Sequence, residues 1–278
     1  MCSHKTSLLL SAALILLLPS ASLAQVGKES SLWKWTTTGG HHDSIVQVSC
    51  GGGIGTGVII DVARDKPVGS GFEGLCITAY HVVEPDKGKR EVEVKYKNGR
   101  ISEKALVVES DKKRDIAMLW VWVPAGITPS AIAAKPAGPG DRLEFTGLGG
   151  GSKLDCCIRH FSASASAPTT ADEILSDVPL LPGDSGGPVF NERHELVGII
   201  SGGWFWWDGG IRTDSGNAIS VTWPGRACNV AAINRIRRQA PQWYVVRRPT
   251  KQSEIVTVNA TVPAPEQVVD SGEGTTTR

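Results

Sequence analysis

Leu181-Pro182-Gly183-Asp184-Ser185-Gly186-Gly187-Pro188-Val189-Phe190 crowds glycines and prolines around one serine and runs directly into an apolar pair. Gly183, Gly186 and Gly187 permit backbone angles and close approaches that a Cβ forbids, so Ser185 can be held on a tight bend with its hydroxyl exposed. The same bend can aim the backbone N–H groups of Gly183 and Ser185 into one concavity, the kind of pocket that stabilises the oxyanion of a tetrahedral acyl-transfer intermediate. Read alone, Gly-x-Ser-x-Gly is equally a surface turn joining two strands, because a pattern that short is weak. What decides between them is a base and an orienting acid elsewhere in the chain. A serine hydroxyl is a poor nucleophile until an imidazole takes its proton, and the imidazole needs a carboxylate to fix its tautomer.

In the nucleophile elbow of an α/β-hydrolase the acid and the histidine follow the serine. Here the only histidine after Ser185 is His194, inside the polar turn Asn191-Glu192-Arg193-His194-Glu195, so the base has to lie upstream. The full string Gly-Asp-Ser-Gly-Gly-Pro resembles the active-site signature of the trypsin/chymotrypsin-like serine proteases, whose order is His, Asp, Ser. Leu75 to Val83 is an apolar run with His81 near its end. A histidine there is ordinarily structural, but Thr78-Ala79-Tyr80-His81-Val82-Val83 resembles the Thr-Ala-Ala-His of trypsin-like enzymes and the Asn-His-Val-Val of the Deg-type (HtrA-like) branch. The resemblance makes His81 the general base. Val82 stands where digestive members carry a cysteine, so that family disulfide is missing. Asp115-Ile116-Ala117-Met118-Leu119 resembles the Deg-type string Asp-Leu-Ala-Leu-Leu, which makes Asp115 the triad acid and Asp111 the second candidate. Gly55-Thr56-Gly57 before an apolar strand is similar to the first hairpin of the same branch.

The resemblance spans residues 44 to 238. It implies an all-β, chymotrypsin-like fold of two packed six-stranded antiparallel barrels with a short C-terminal helix. Within a protease domain of 44–240, the first barrel covers about 44–123, the second about 140–225 and the helix about 230–239. It further implies a cofactor-free, metal-free serine endopeptidase acting on polypeptides, with His81, Asp115 and Ser185 in the cleft and an oxyanion hole at Gly183 and Ser185. Ser201, Gly202 and Gly203 fall where family members pair their backbone with the substrate as an added strand. Pro179 occupies, by ungapped count, the position of the trypsin specificity aspartate, and Ala218 with Ile219 supplies an apolar wall. Together these imply small or medium apolar side chains before the cut. Two rival functions share the motifs: a protease-like binding module without turnover, and an esterase-type hydrolase. One departure stands out. Deg-type enzymes carry Asn before the serine, and trypsin-type enzymes carry an Asp that pairs with a new N-terminal amine after zymogen cleavage. Here Asp184 is present, yet Ile45-Val46 lies inside an expected strand without a following Gly-Gly, so the partner of Asp184 is open.

The rest of the chain frames this unit. Lys5, the apolar run Leu8 to Leu18 and the small residues up to Ala24 have the layout of a secretory signal peptide, placing the mature chain outside the cytoplasm without a membrane span. Residues 25–43, with His41-His42-Asp43, read as a loosely held arm. A net charge of +1 with 41% hydrophobic residues describes a globular chain and gives no reason to expect nucleic acid as a partner. After Cys2 leaves with the signal, Cys50, Cys76, Cys156, Cys157 and Cys228 remain; their spacing does not reveal pairing, and no Cys-x-x-Cys zinc pattern occurs. The glycines of 51–56 lack the Gly-Lys-Ser/Thr of a phosphate loop and read as a hairpin connection. Trp204, Phe205, Trp206 and Trp207 either flank the groove or pack on the barrel, and His160 reads as structural. Ile233 and Ile236 mark one face of the closing helix, with Arg235, Arg237 and Arg238 near its C-terminus. The stretch 241–278 reads as a disordered tail, too short for the PDZ domain that many Deg-type enzymes carry.

Overall fold

Short apolar runs divided by glycine turns fold into antiparallel strands in the computed structural model, which describes residues 34–36, 43–84, 91–154, 158–212 and 218–246. The side chains of 204–223 and 240–246 are outside that description, as are the expected signal peptide, most of the expected arm, Cys156, Cys157 and the chain beyond 246. In order the strands are β1 (Lys34–Thr36), β2 (Ile45–Cys50), β3 (Gly53–Val68), β4 (Gly71–Thr78), β5 (Val92–Lys95), β6 (Ile101–Asp111) and β7 (Ile116–Pro124). After the crossover come β8 (Arg142–Gly147), β9 (Ile158–Ser164), β10 (Glu173–Ser176), β11 (Pro188–Asn191), β12 (Leu196–Arg212) and β13 (Ala218–Asn229), then helix α1 (Val230–Val246).

Strands β2 to β7 close into a six-stranded barrel in the order β2-β3-β4-β7-β6-β5. Its first hairpin turns on Gly51 and Gly52 alone, both at positive φ (57° and 88°). That is the two-residue turn whose twist matches the flanking strands. The expected glycine connection is therefore shorter than 51–56, and Gly53 to Gly57 already belong to β3.

The unbroken apolar run of β7 follows from burial on both faces. Ala117, Leu119, Val121 and Val123 fill the barrel with Val46, Ile59 and Cys76. Ile116 and Met118, on the alternate face, join Val58, Ile77, Phe190, Leu196 and Ile199 in the layer between the two halves. Residues two apart share a face of a strand, so a strand covered on both sides needs no polar alternation.

The second half is a seven-stranded sheet in the order β1-β9-β8-β11-β12-β13-β10 around Phe145, Phe161, Ile174, Val189 and Ile200. The chain just after β9 and the edge strand β10 meet only at a seam. There Ala165 bridges Ser176, Ser166 N donates to Leu175 O at 2.7 Å, and Ser176 Oγ donates to Ser164 O at 2.9 Å. The chymotrypsin-like fold is present; where a second six-stranded barrel is expected the structure has this seven-stranded sheet, bridged at the seam by a single pair rather than closed by a full ladder. Within the expected arm, Lys34–Thr36 adds β1 to the free edge of β9.

Helix α1 runs to Val246 rather than ending near 239. Buried Asn229 starts it: Oδ1 accepts from Val230 N (2.8 Å) and Ala137 N (3.1 Å), and Nδ2 donates to Ala137 O and Thr170 O. Ile233 and Ile236 pack into the layer between the halves. Arg235, Arg237 and Arg238 sit in mid-helix, so the expected interaction with a C-terminal dipole does not apply, and Arg235 pairs with Asp172 at 3.6 Å. No helix among the described residues is long and apolar enough to cross a membrane.

Candidate active site

The turn around Ser185 is held from the opposite barrel. Thr56, on β3, donates its N–H to Ser185 O (2.8 Å) and its hydroxyl to Gly183 O (2.7 Å), and the same hydroxyl accepts from Leu148 N (3.0 Å). Thr78 Oγ1 donates to Thr56 O at 2.7 Å. Gly186 has φ 84°, and a Cβ there would stand 2.1 Å from Thr56 O, so only glycine lets the two halves approach this closely. Gly183, at φ 101°, turns the chain just before Ser185. Among the described residues the N–H groups of Gly183 and Ser185 have no protein acceptor, leaving both available to an oxygen in the cleft.

His81 lies in a 3-10 turn, Tyr80–Val82, at the end of β4. Its Nδ1 is 2.7 Å from Asp115 Oδ2, and its backbone N–H donates to Asp115 Oδ1 at 2.9 Å. Asp115 takes φ 53°, a left-handed conformation that Asp tolerates better than most residues, and this turns its carboxylate from the start of β7 toward His81. The second candidate, Asp111, is engaged by Arg114 at 2.9 Å and does not reach the site.

Ser201 has a role beyond the one expected for it. A bulge between Ile200 and Gly202 interrupts the pairing of β12 with β13, and Ser201 Oγ donates to Asp115 Oδ2 at 2.5 Å. Its carbonyl accepts from Ser185 Oγ at 3.4 Å. The Asp115 hydrogen bond raises the His81 pKa above its ordinary value, partly opposed by burial, and the charges of Asp115 and Glu84 add to the rise.

His81, Gly183, Ser185, Ser201, Gly202 and Gly203 line one cavity of about 480 Å³, together with Leu180, Leu181 and Ile200. Two expected pocket residues are elsewhere. Pro179 stops one residue short of the lining and turns its carbonyl to Arg159 (2.8 Å). Ala218 pairs with Arg212 far out on the β12–β13 hairpin, whereas Gly203 lies opposite Gly225 and Gly202 opposite Arg226. The expectation of Ala218 as an apolar wall misses how long this hairpin is. Arg226 lines the cavity in its place, bonded to Glu173 through Nε at 2.6 Å. The pairing of two long strands was the signal that could have located it. The side chains of Trp204 to Trp207 and Ile219 fall outside the described residues. His160 is buried on β9 with Glu144 and Thr146 at 3.0 Å and does not line the cavity. The reduced Cys228 thiol is pushed up to about 12 by burial.

A family model described as "Trypsin-like peptidase domain" matches residues 55–199. The chain is 28% identical over 159 residues to the anti-sigma-I factor RsgI9 of Acetivibrio thermocellus, covering 54% of this chain and 22% of that protein. It is 31% identical over 149 residues to a probable periplasmic serine endoprotease DegP-like of Halomonas elongata, covering 49% of this chain and 29% of that one. The chain thus spans about a quarter of the length of these two curated relatives. Among solved structures, the serine endoprotease from Yersinia pestis is similar in fold, with a TM-score of 0.51 at 22% identity over 74% of this chain and 68% of that one.

Proposed function

Since the chain belongs to the trypsin-like peptidase domain family, we propose that it hydrolyses polypeptides as a serine endopeptidase, with Ser185 as nucleophile, His81 as general base and Asp115 as orienting acid. The observation that carries this reading is the hydrogen-bonded His81–Asp115 pair at the edge of the cavity that holds Ser185. In this reading Ser185 Oγ leaves the Ser201 carbonyl for His81 Nε2 once substrate is bound. The Oγ–carbon bond then forms as the proton passes to Nε2, and the carbonyl electrons move onto the oxygen facing the N–H groups of Gly183 and Ser185. The imidazolium returns the proton to the leaving amine, and water repeats the sequence on the acyl-enzyme. Asp115, fixed by His81 N and Ser201 Oγ, holds the Nδ1–H tautomer throughout.

The substrate backbone adds as a strand along Ser201–Gly203, and its side chain before the cut enters the space between Leu180, Leu181 and Ile200. No carboxylate lines that space among the described residues, so a substrate ammonium would be left without an anion there. The leader-like first 24 residues and the periplasmic relative favour work outside the cytoplasm. The test is labelling by a fluorophosphonate probe, with the modified peptide located by mass spectrometry. Labelling at Ser185, absent in Ser185→Ala, is expected. A folded protein that is never labelled and never cleaves a peptide would be a binding module instead.

A further inference from the structure

The residue between Gly183 and Ser185 is a fully buried acid. Asp184 is 0% exposed; its Oδ1 accepts from Gly149 N and its Oδ2 from Leu181 N, both at 2.9 Å. Asp184 N in turn donates to Leu181 O at 3.0 Å, so the carboxylate and the backbone together close the turn 181–184 and leave Pro182-Gly183 at its tip. A Cβ on Gly149 would stand 2.5 Å from Oδ1, so the slot for the carboxylate exists only with glycine there.

A buried carboxylate needs a counter-charge. Arg159, itself 2% exposed, supplies it: Nη1 bonds Asp184 Oδ2, and Nη2 donates to Pro179 O at 2.8 Å. Its guanidinium also stacks over Phe161, 4.1 Å from the ring centre. Burial pushes the guanidinium pKa down to about 9, which still leaves it charged at neutral pH against the Asp184 carboxylate. Ile45, where the trypsin pattern would seek a freed amine, is instead the fully buried first residue of β2, paired with Val58 and packed on Leu148, Leu154 and Ile158.

We propose that Arg159 is a positioning residue that does from within the chain what a newly freed N-terminal amine does in trypsin-type zymogens. Held by Arg159, Asp184 fixes the turn 181–184, and the N–H groups of Gly183 and Ser185 are set without any cleavage near β2. This rests on the serine-peptidase reading above. Arg159 touches no substrate; it acts through Asp184 on the backbone that receives the oxyanion.

The test uses the full chain with an inert carrier fused ahead of it, its intact mass confirming that nothing is cut between carrier and β2. Fluorophosphonate labelling of Ser185 equal to that of the unfused chain is expected; labelling that appears only after a new N-terminus is released overturns the proposal. In Arg159→Met, kcat should fall on the order of a hundredfold with KM nearly unchanged, because the lost interaction serves the transition state. Amide exchange in 179–186 should accelerate while β3 and β7 stay protected. Arg159→Lys, which keeps the charge, should recover most of kcat. If Arg159→Met does not fold, the Arg159→Met, Asp184→Asn double variant removes both charges and is measured in its place. Wild-type kcat and wild-type exchange in whichever variant folds overturn the proposal. If no form of the protein is ever labelled, the peptidase reading fails, and the exchange result still decides what Arg159 does.

Discussion

Thr56→Val isolates the contact by which the first barrel holds the Ser185 turn of the second half. Valine keeps the shape and deletes the hydroxyl that donates to Gly183 O at 2.7 Å and accepts from Leu148 N at 3.0 Å. Thr56 is 0% exposed, so the Leu148 N–H is left in a dry site, while the half-buried Gly183 carbonyl can find some water. An unsatisfied buried group costs about 1–3 kcal/mol; one such group in full and one in part gives a loss of about 3 kcal/mol. For a domain of this size that is a fall of roughly 6–12 °C in Tm. Thr56→Ser keeps the hydroxyl and loses one methyl, costing about 1 kcal/mol. Urea unfolding of both variants in the Ser185→Ala background, which prevents self-digestion, measures the difference. Equal midpoints for Thr56→Val and Thr56→Ser would refute the claim that this hydroxyl joins the halves. Since Gly183 O is one of its partners, Thr56→Val in the otherwise wild-type chain should also lower kcat more than it raises KM.

Ser185→Ala and His81→Ala should each leave the circular dichroism unchanged and reduce peptide hydrolysis by on the order of a million-fold, and Asp115→Asn by about ten-thousand-fold; near-wild-type rates would remove these residues from the mechanism. As the proposed general base His81 must be neutral to accept the proton, and its folded pKa is raised, so kcat/KM should rise with pH to a midpoint above the ordinary 6.5, and Asp115→Asn should move that midpoint down. In stability the sign is opposite: the His81 contribution is complete below its unfolded pKa and is lost as pH rises through the folded one, so unfolding midpoints in Ser185→Ala should decline across the same window. Cleavage of a peptide library should favour Val, Ala or Leu before the cut. A profile dominated by Lys or Arg would mean that an anion reaches the pocket by a route absent from its lining.

What the sequence determined by itself was everything that rests on local constraint. The glycines around Ser185 dictate a sharp bend whatever surrounds it, the alternation of Ser44 to Val48 dictates a half-buried strand, and the chain order of His81, Asp115 and Ser185 points to one superfamily. Choosing Asp115 over Asp111 from sequence needed the family string, because the two acids are four residues apart on the same turn and differ only in their long-range partners, His81 for one and Arg114 for the other. The tertiary structure decided the rest through sheet register. The β12–β13 pairing brings Arg226 to the cavity and carries Ala218 away from it, and a single bulge turns Ser201 toward Asp115. Pairing of β8 with β9 sets Arg159 opposite Gly147, within reach of Asp184. The side-chain contacts Arg159–Asp184, Ser201–Asp115 and Thr56–Gly183 join residues 25, 86 and 127 positions apart. No periodicity or turn preference encodes such separations, because each depends on how many residues every intervening strand and hairpin contributes before the chain returns.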